Sequence, residues 1–382
     1  MTARRASFLC GAIEGFYGKP WSIAERFELF DRMSEWGLNT YLYAPKDDLH
    51  HRAIWRELYP PPEAGGLKQI VAACRDRSLR FVYAISPGLD IRYGRGSELE
   101  LLCGRFEQLL DMGCEHFAVL FDDIPDTFEA AAGGVGSLAS AQCRIANALS
   151  DWLRARVADP HFLFCPTAYC GRMVEQKLGG EDYLPTVGRE LAPAIHVLWT
   201  GPNIVSREIT LAHLEEVARV LRRKPVIWDN LHANDYAGLR FFCGPYSGRP
   251  LQLREAAAGI LSNPNNEFPL NYVPLRTLAD FCATQSPWDP RAAYLTAMRE
   301  WLPAFETVRG SLSFDDLVLF GDCCYLPHQQ GAEAEELTPS KTARLREVCT
   351  RLTEVRSRPL FHALFRGIWA LREQLDRVER QS

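Results

Sequence analysis

Residues 116–125 read His-Phe-Ala-Val-Leu-Phe-Asp-Asp-Ile-Pro. An uncharged run of aromatic and aliphatic side chains, bounded by residues that end a strand, is the pattern of a strand buried on both faces in a parallel sheet. Pro125 cannot continue a ladder, so Asp122 and Asp123 stand where the strand stops.

Working outward, comparable runs occur upstream at Phe8 to Ile13, Thr40 to Tyr43 and Arg80 to Ile85. Downstream they recur at His161 to Cys165, Ile195 to Trp199, Pro225 to Trp228 and, more weakly, Gly259 to Ser262. With His116 to Phe121 as the fourth, eight strands alternate with amphipathic stretches. One of these is Ser22 to Trp36, where Ile23, Phe27, Phe30 and Met33 recur at helical spacing behind the capping residue Ser22. Eight βα units point to an α/β fold, a (β/α)8 TIM-type barrel, whose active sites lie at the C-terminal strand ends. An open doubly wound sheet would need a glycine-rich phosphate turn after its first strand, and GAIEGFYG at 11–18 matches that fingerprint poorly. Polar residues follow the strands as a barrel requires: Glu14, Lys46, Asp122, Tyr169, Thr200, Asp229 and Asn263.

After about residue 284 the turn SPWDP introduces helical patterns only, at Arg291 to Phe305, Ser340 to Arg356 and Pro359 to Arg377, with Gly321 to Pro339 reading as loop. The chain is therefore expected to divide into a barrel over 1–284 and a small all-α domain over 285–382, the latter with Trp301, Leu302, Phe305, Leu360, Phe361, Leu364 and Trp369 as its core. A net charge of -5 gives no footprint for nucleic acid. No apolar run has membrane length, and the N-terminal stretch is too short for a signal segment. The twelve cysteines include no CxxC pair and several lie inside apolar runs, as reduced thiols in a cytoplasmic protein would. Vicinal Cys323 and Cys324 read as two core residues.

Two adjacent carboxylates at a strand end have three readings. They can cap or solvate a loop, they can hold a hard cation, or they can share acid–base chemistry, because two charges so close repel and one is pushed toward its protonated form. Neighbouring residues cannot straddle a sugar ring as the spaced pair of an ordinary glycosidase does, but both can address one face of it. One would polarise a substrate acetamido N–H while the other protonates the leaving oxygen.

Seven blocks decide among these readings: GAIEGFYGKPWS, YLYAPKDDLHHR, FAVLFDDIPD, LFCPTAYCG, VLWTGPNIVSREI, VIWDNLHANDY and ILSNPNNE. Together, over about residues 8–272, they resemble the O-GlcNAcase and bacterial β-N-acetylglucosaminidase family, glycoside hydrolase family 84. The resemblance implies a retaining exo-β-N-acetylglucosaminidase acting through an oxazoline, with no cofactor and no metal. It implies that Asp122 polarises the acetamido group, that Asp123 is general acid and then base, and that Tyr169 steadies the oxazoline. Gly15, Lys46, Asn230, Asp235 and Asn265 would contact sugar hydroxyls or the acetamido group, with a turn-shaping role as the alternative for Asn265; Tyr169 and Tyr236 would wall the pocket, and Trp199 and Trp228 suit either wall or core. Glu14 is expected to have a structural role, His50 and His51 to lie on a solvated turn, and His232 to be a core residue. The substrate would be a GlcNAc-bearing glycoprotein, peptide or glycoside, with polysaccharide fragments as an alternative and a homodimer through the helical tail as one use for its aromatics. A catalytically idle carbohydrate-binding barrel is the remaining reading, and both acids and the tyrosine argue against it, since a lectin needs no proton donor.

Overall fold

The computed structural model describes residues 8–124, 136–335 and 337–381. Pro125, the expected strand terminator, lies outside them. Eight parallel strands close a barrel in sequence order: β1 (Leu9–Glu14), β2 (Thr40–Tyr43), β3 (Arg80–Ile85), β4 (His116–Leu120), β5 (Phe162–Cys165), β6 (His196–Trp199), β7 (Val226–Asp229) and β8 (Gly259–Ser262). The closing pair aligns Leu9 with Gly259 and Ala12 with Ser262. Each strand falls within a residue or so of its expected place, because long apolar runs have nowhere to go but a doubly covered sheet. Ile13, Leu42, Ala84, Leu120, Leu163, Leu198 and Leu261 fill the barrel interior.

The expected cap of the first helix is present. Ser22 accepts from the Glu25 amide, and Glu25 reaches back to the Ser22 amide, a reciprocal box that satisfies two otherwise orphaned donors of Ile23–Trp36. Gly37 ends that helix at φ 75°, a left-handed position that favours glycine.

By contact the chain groups into two compact units, one reaching to Asn230 and resuming at Gly248–Asn263, the other made of Leu231–Ser247 and the chain from Pro264 onward. In the second unit the helices Pro290–Trp301, Pro339–Leu352 and Arg358–Gln381 lie where helical spacing placed them. A further helix, Phe314–Cys323, was not expected; it runs into the stretch read as loop, and Leu317–Asp322 are all buried, so it carries no polar stripe to betray its period. Trp301, Phe305, Leu360 and Leu364 are core residues, but Trp369 is 53% exposed and stacks on exposed Phe365 at 6.2 Å. Leu302 and Phe361 are half-buried, so the expected tail core is smaller than its apolar content suggested. At Gly367 a Cβ would stand 2.2 Å from the Phe241 ring, which explains a glycine inside a helix.

Candidate active site

The carboxylate pair sits just beyond β4, at the C-terminal mouth of the barrel. Along a strand the two side chains would face opposite ways. Asp123 instead has φ 50°, a left-handed conformation that breaks the alternation and leaves both acids within electrostatic reach of Tyr17 and Tyr169.

The two acids then diverge in environment. Asp122 is 5% exposed, with its Oδ2 2.5 Å from the Lys46 Nζ, itself buried in the loop after β2. Burial pushes the Asp122 carboxyl up, but the Lys46 ammonium and, less directly, the Arg52 guanidinium outweigh it and hold the group below the ordinary aspartate range. Asp122 is therefore made harder to protonate. Asp123 is exposed and is gripped by two phenols: Tyr169 donates to its Oδ1 at 2.7 Å and Tyr17 to its Oδ2 at 3.0 Å. Both phenols are raised well above their usual range, by burial first and then by the neighbouring carboxylate, so they remain donors at any working pH. Arg52 completes the arrangement by donating to the Tyr17 hydroxyl at 2.8 Å and to the Asp123 carbonyl at 2.7 Å.

Tyr17 and Arg52 were not singled out by sequence reasoning. Both lie inside quoted motif blocks, GFYG and LHHR, which was the only signal available for them. His51 was read as solvated and is instead fully buried. Its Nδ1 lies 2.8 Å from the Ala84 carbonyl, its amide and that of His50 point to Asp48, and the turn is thereby packed inward. His50 is also buried, at 9% exposure.

One wall of the mouth is built on Trp228, at the end of β7. Its indole N–H donates to Asn230 Oδ1 at 3.0 Å, Asn263 donates to the same oxygen at 2.9 Å, and Asn230 donates to the Ile204 carbonyl at 2.8 Å. Lys46 Nζ lies 5.7 Å from the Trp228 ring, a cation–π approach. Gly15 leaves room for that indole, because a Cβ there would meet it at 2.4 Å.

Position narrows the roles open to Trp199 and Asn265 and agrees with those expected of Glu14 and His232. Trp199 is 1% exposed and donates its indole N–H to His213 at 3.0 Å, so it belongs to the barrel wall rather than to an open pocket. Asn265 is fully buried, and its carboxamide braces Phe242 on both N–H and C=O and also bonds Asn271, which leaves it a turn-holding role. Glu14, as expected, is structural: it takes two bonds from Arg26 and one each from the Trp21 amide and the Tyr41 hydroxyl. His232 is a core residue, its Nε2 2.9 Å from the Gly244 carbonyl. Asp235 and Tyr236, in the second unit, are both exposed. Among the described residues no group of three or more His, Cys, Asp or Glu side chains is arranged to hold a metal ion.

The arrangement can keep one carboxylate charged and fixed while offering the other to a ligand. A model of β-N-acetylglucosaminidases matches residues 10–313. Protein O-GlcNAcase of Rattus norvegicus and that of Mus musculus are each 50% identical to the chain over 279 residues, 72% of this chain and 30% of each relative. The chain thus spans 30% of the length of those relatives. A solved O-GlcNAc hydrolase mutant of Thermobaculum terrenum superposes with a TM-score of 0.83 at 29% identity, over 97% of this chain and 83% of that one.

Proposed function

The chain belongs to the β-N-acetylglucosaminidase family, and from that premise we propose that it is a retaining exo-β-N-acetylglucosaminidase acting on β-linked GlcNAc carried by proteins. The observation that carries this reading is the contrast between the two acids: Asp122 ion-paired and buried, Asp123 exposed and held by two tyrosines.

Asp122, kept anionic by Lys46, accepts the acetamido N–H and drives electron density onto the acetamido oxygen. That oxygen attacks C1 as the glycosidic C1–O bond breaks, and Asp123 delivers a proton to the departing oxygen. Asp123 then removes a proton from water as it adds to C1 and reopens the oxazoline, restoring the acetamido group and retaining configuration. Tyr169 and Tyr17 fix the Asp123 carboxyl for both transfers. Because a hydroxyl pair demands matched donors and acceptors, Lys46, Asn230 and the Gly15 backbone suit the sugar's polar edge. Asp235 and Tyr236 enter as hydroxyl and ring contacts on the strength of their motif alone.

The proposal assigns catalysis to 1–284 and a helical domain to 285–382, through which exposed Phe365 and Trp369 would pair two copies. A cytoplasmic setting is supported by the absence of disulfides, since all twelve cysteines are free thiols. No described helix is long and apolar enough to cross a membrane. Turnover of an aryl β-N-acetylglucosaminide is compared with that of the aryl β-glucoside: the former should be hydrolysed and the latter should not. No turnover of the acetamido substrate sinks the enzyme reading, and equal rates on both sink substrate assistance.

A further inference from the structure

Three polar side-chain atoms near the carboxylate pair are buried with no hydrogen-bond partner among the described residues: Asp122 Oδ1, His51 Nε2 and Ser86 Oγ. The three residues come together at the C-terminal ends of β3 and β4. The Ser86 amide donates to the His51 carbonyl at 2.8 Å, while His51 Nδ1 meets the Ala84 carbonyl at 2.8 Å, so one residue is stitched to the end of β3 on both sides of Ile85. Ile85 is level with Val119 of β4, so Ser86 and Asp122 leave adjacent strands at the same end. His51 and Asp122 each lie within the other's electrostatic reach.

Chemistry fixes what each atom wants. A carbonyl can only accept, so Nδ1 of His51 carries the proton and Nε2 presents a lone pair. Burial first, and then Lys46, lower the His51 imidazolium to about 4, so the ring is neutral near pH 7. Ser86 Oγ has a proton to give. Asp122 Oδ1 needs a donor, and it is sealed from solvent, whereas Oδ2 faces Lys46. The oxygen left to meet a substrate N–H is therefore Oδ2, and Oδ1 must be satisfied from behind. Leaving buried groups unmatched is costly, and a single buried water with two to four polar partners is the usual remedy. One water reached by all three would satisfy them together, donating to His51 Nε2 and to Asp122 Oδ1 and accepting from the Ser86 hydroxyl.

We propose that His51 is a positioning residue for the proposed reaction, acting on Asp122 through a buried water that it shares with Ser86. This rests on the reading of Asp122 as the acetamido-polarising anion. The charged groups facing His51 are Lys46 and Asp48 of its own loop and Asp122 beyond β4; β3 presents the Ala84 carbonyl, and Ser86 follows its end. Losing the water's donation would destabilise the Asp122 anion, so activity would fail at a higher pH on the acid side.

The test uses the full chain and an aryl β-N-acetylglucosaminide. His51→Asn, which keeps a donor for Ala84 but no atom at the Nε2 level, should lower kcat about tenfold with KM within about twofold, and move the acid limb of kcat upward by about one pH unit. Ser86→Ala should move both in the same direction by less. His51→Gln, which restores an acceptor at the Nε2 level, should recover most of the acid limb. A wild-type profile for His51→Asn overturns the proposal, as does a loss of kcat with an unmoved acid limb, which would mean mere structural damage. A crystal structure of the wild type gives an independent answer: a water within about 3 Å of all three atoms is expected, and a site filled by protein alone overturns the inference. If the wild type hydrolyses nothing, the proposed function fails while the crystallographic result still decides this one.

Discussion

The two ends of β4 and β5 carry polar residues of opposite character. At the C-terminal end Asp122, Asp123 and Tyr169 meet Lys46, Arg52 and Tyr17, and charge is retained. At the N-terminal end His116 and His161 form a row with His196 of β6. The His161 amide donates to His116 Nδ1 at 3.1 Å, His161 Nδ1 and His196 Nε2 lie 3.4 Å apart, and those two rings stack at 5.5 Å. All three imidazoles are lowered to about 4, by burial first and then by neighbouring cationic groups, so near pH 7 the row is neutral and pairs largely within itself. The difference teaches that polar residues at a strand end become a site only where a charge is both held and left reachable. The same side-chain density becomes a seam where the row's own groups stay neutral.

That contrast can be broken by substitution. Replacing Asp122 by Asn should cost about 10³-fold in kcat for every leaving group, since it removes the anion that polarises the acetamido N–H. Asp123→Asn should cost about 10²-fold on alkyl glycosides and much less on acidic phenol leaving groups, which need little protonation; the reverse pattern would exchange the two roles. Lys46→Met removes the main charge opposing burial of Asp122, so the Asp122 carboxyl rises and the acid limb of the pH–rate profile moves up, with kcat near pH 7 falling about tenfold. At the other end His161→Phe should leave kcat within about twofold. Its effect is on acid stability. Because the folded imidazoles sit near 4 and the unfolded ones near 6.5, the unfolded chain binds more protons between those values, so stability is fully present above about 6.5 and falls as pH drops toward 4. Thermal melts from pH 7 to 4 should show a smaller fall in Tm for His161→Phe than for the wild type, by a few degrees. A loss of turnover as large as that of Asp122→Asn would erase the distinction between the two ends.

The barrel was legible because its information is one-dimensional: uninterrupted runs such as Phe81 to Ile85 or Phe117 to Leu120 admit few other fates. The acids were legible as a dipeptide and gained meaning only from the surrounding motifs. What escaped was relational. Arg52 lies 71 positions from the Asp123 carbonyl it holds, and Tyr17 lies 106 positions from the carboxylate it bonds, so neither spacing carries a periodic trace. His51 misled for a related reason: beside Asp47, Asp48 and His50 it looks hydrophilic, yet Asp48 folds that turn inward by taking both histidine amides. The helix Phe314–Cys323 hid in the opposite way: its apolar residues Leu317–Phe320 are consecutive and its aspartates lie toward its ends, so no helical alternation shows.

The left-handed backbone at Asp123 narrows what evolution can write there. Among residues other than glycine, asparagine and aspartate enter that region most readily, and others forfeit roughly 1–2 kcal/mol. Of the set that fits the turn, one side chain can also ferry a proton. Geometry and chemistry each shorten the list, and their intersection is a single letter. Drift at this position therefore has no silent neighbour: Asn keeps the turn and loses the proton, Glu keeps the proton and strains the turn.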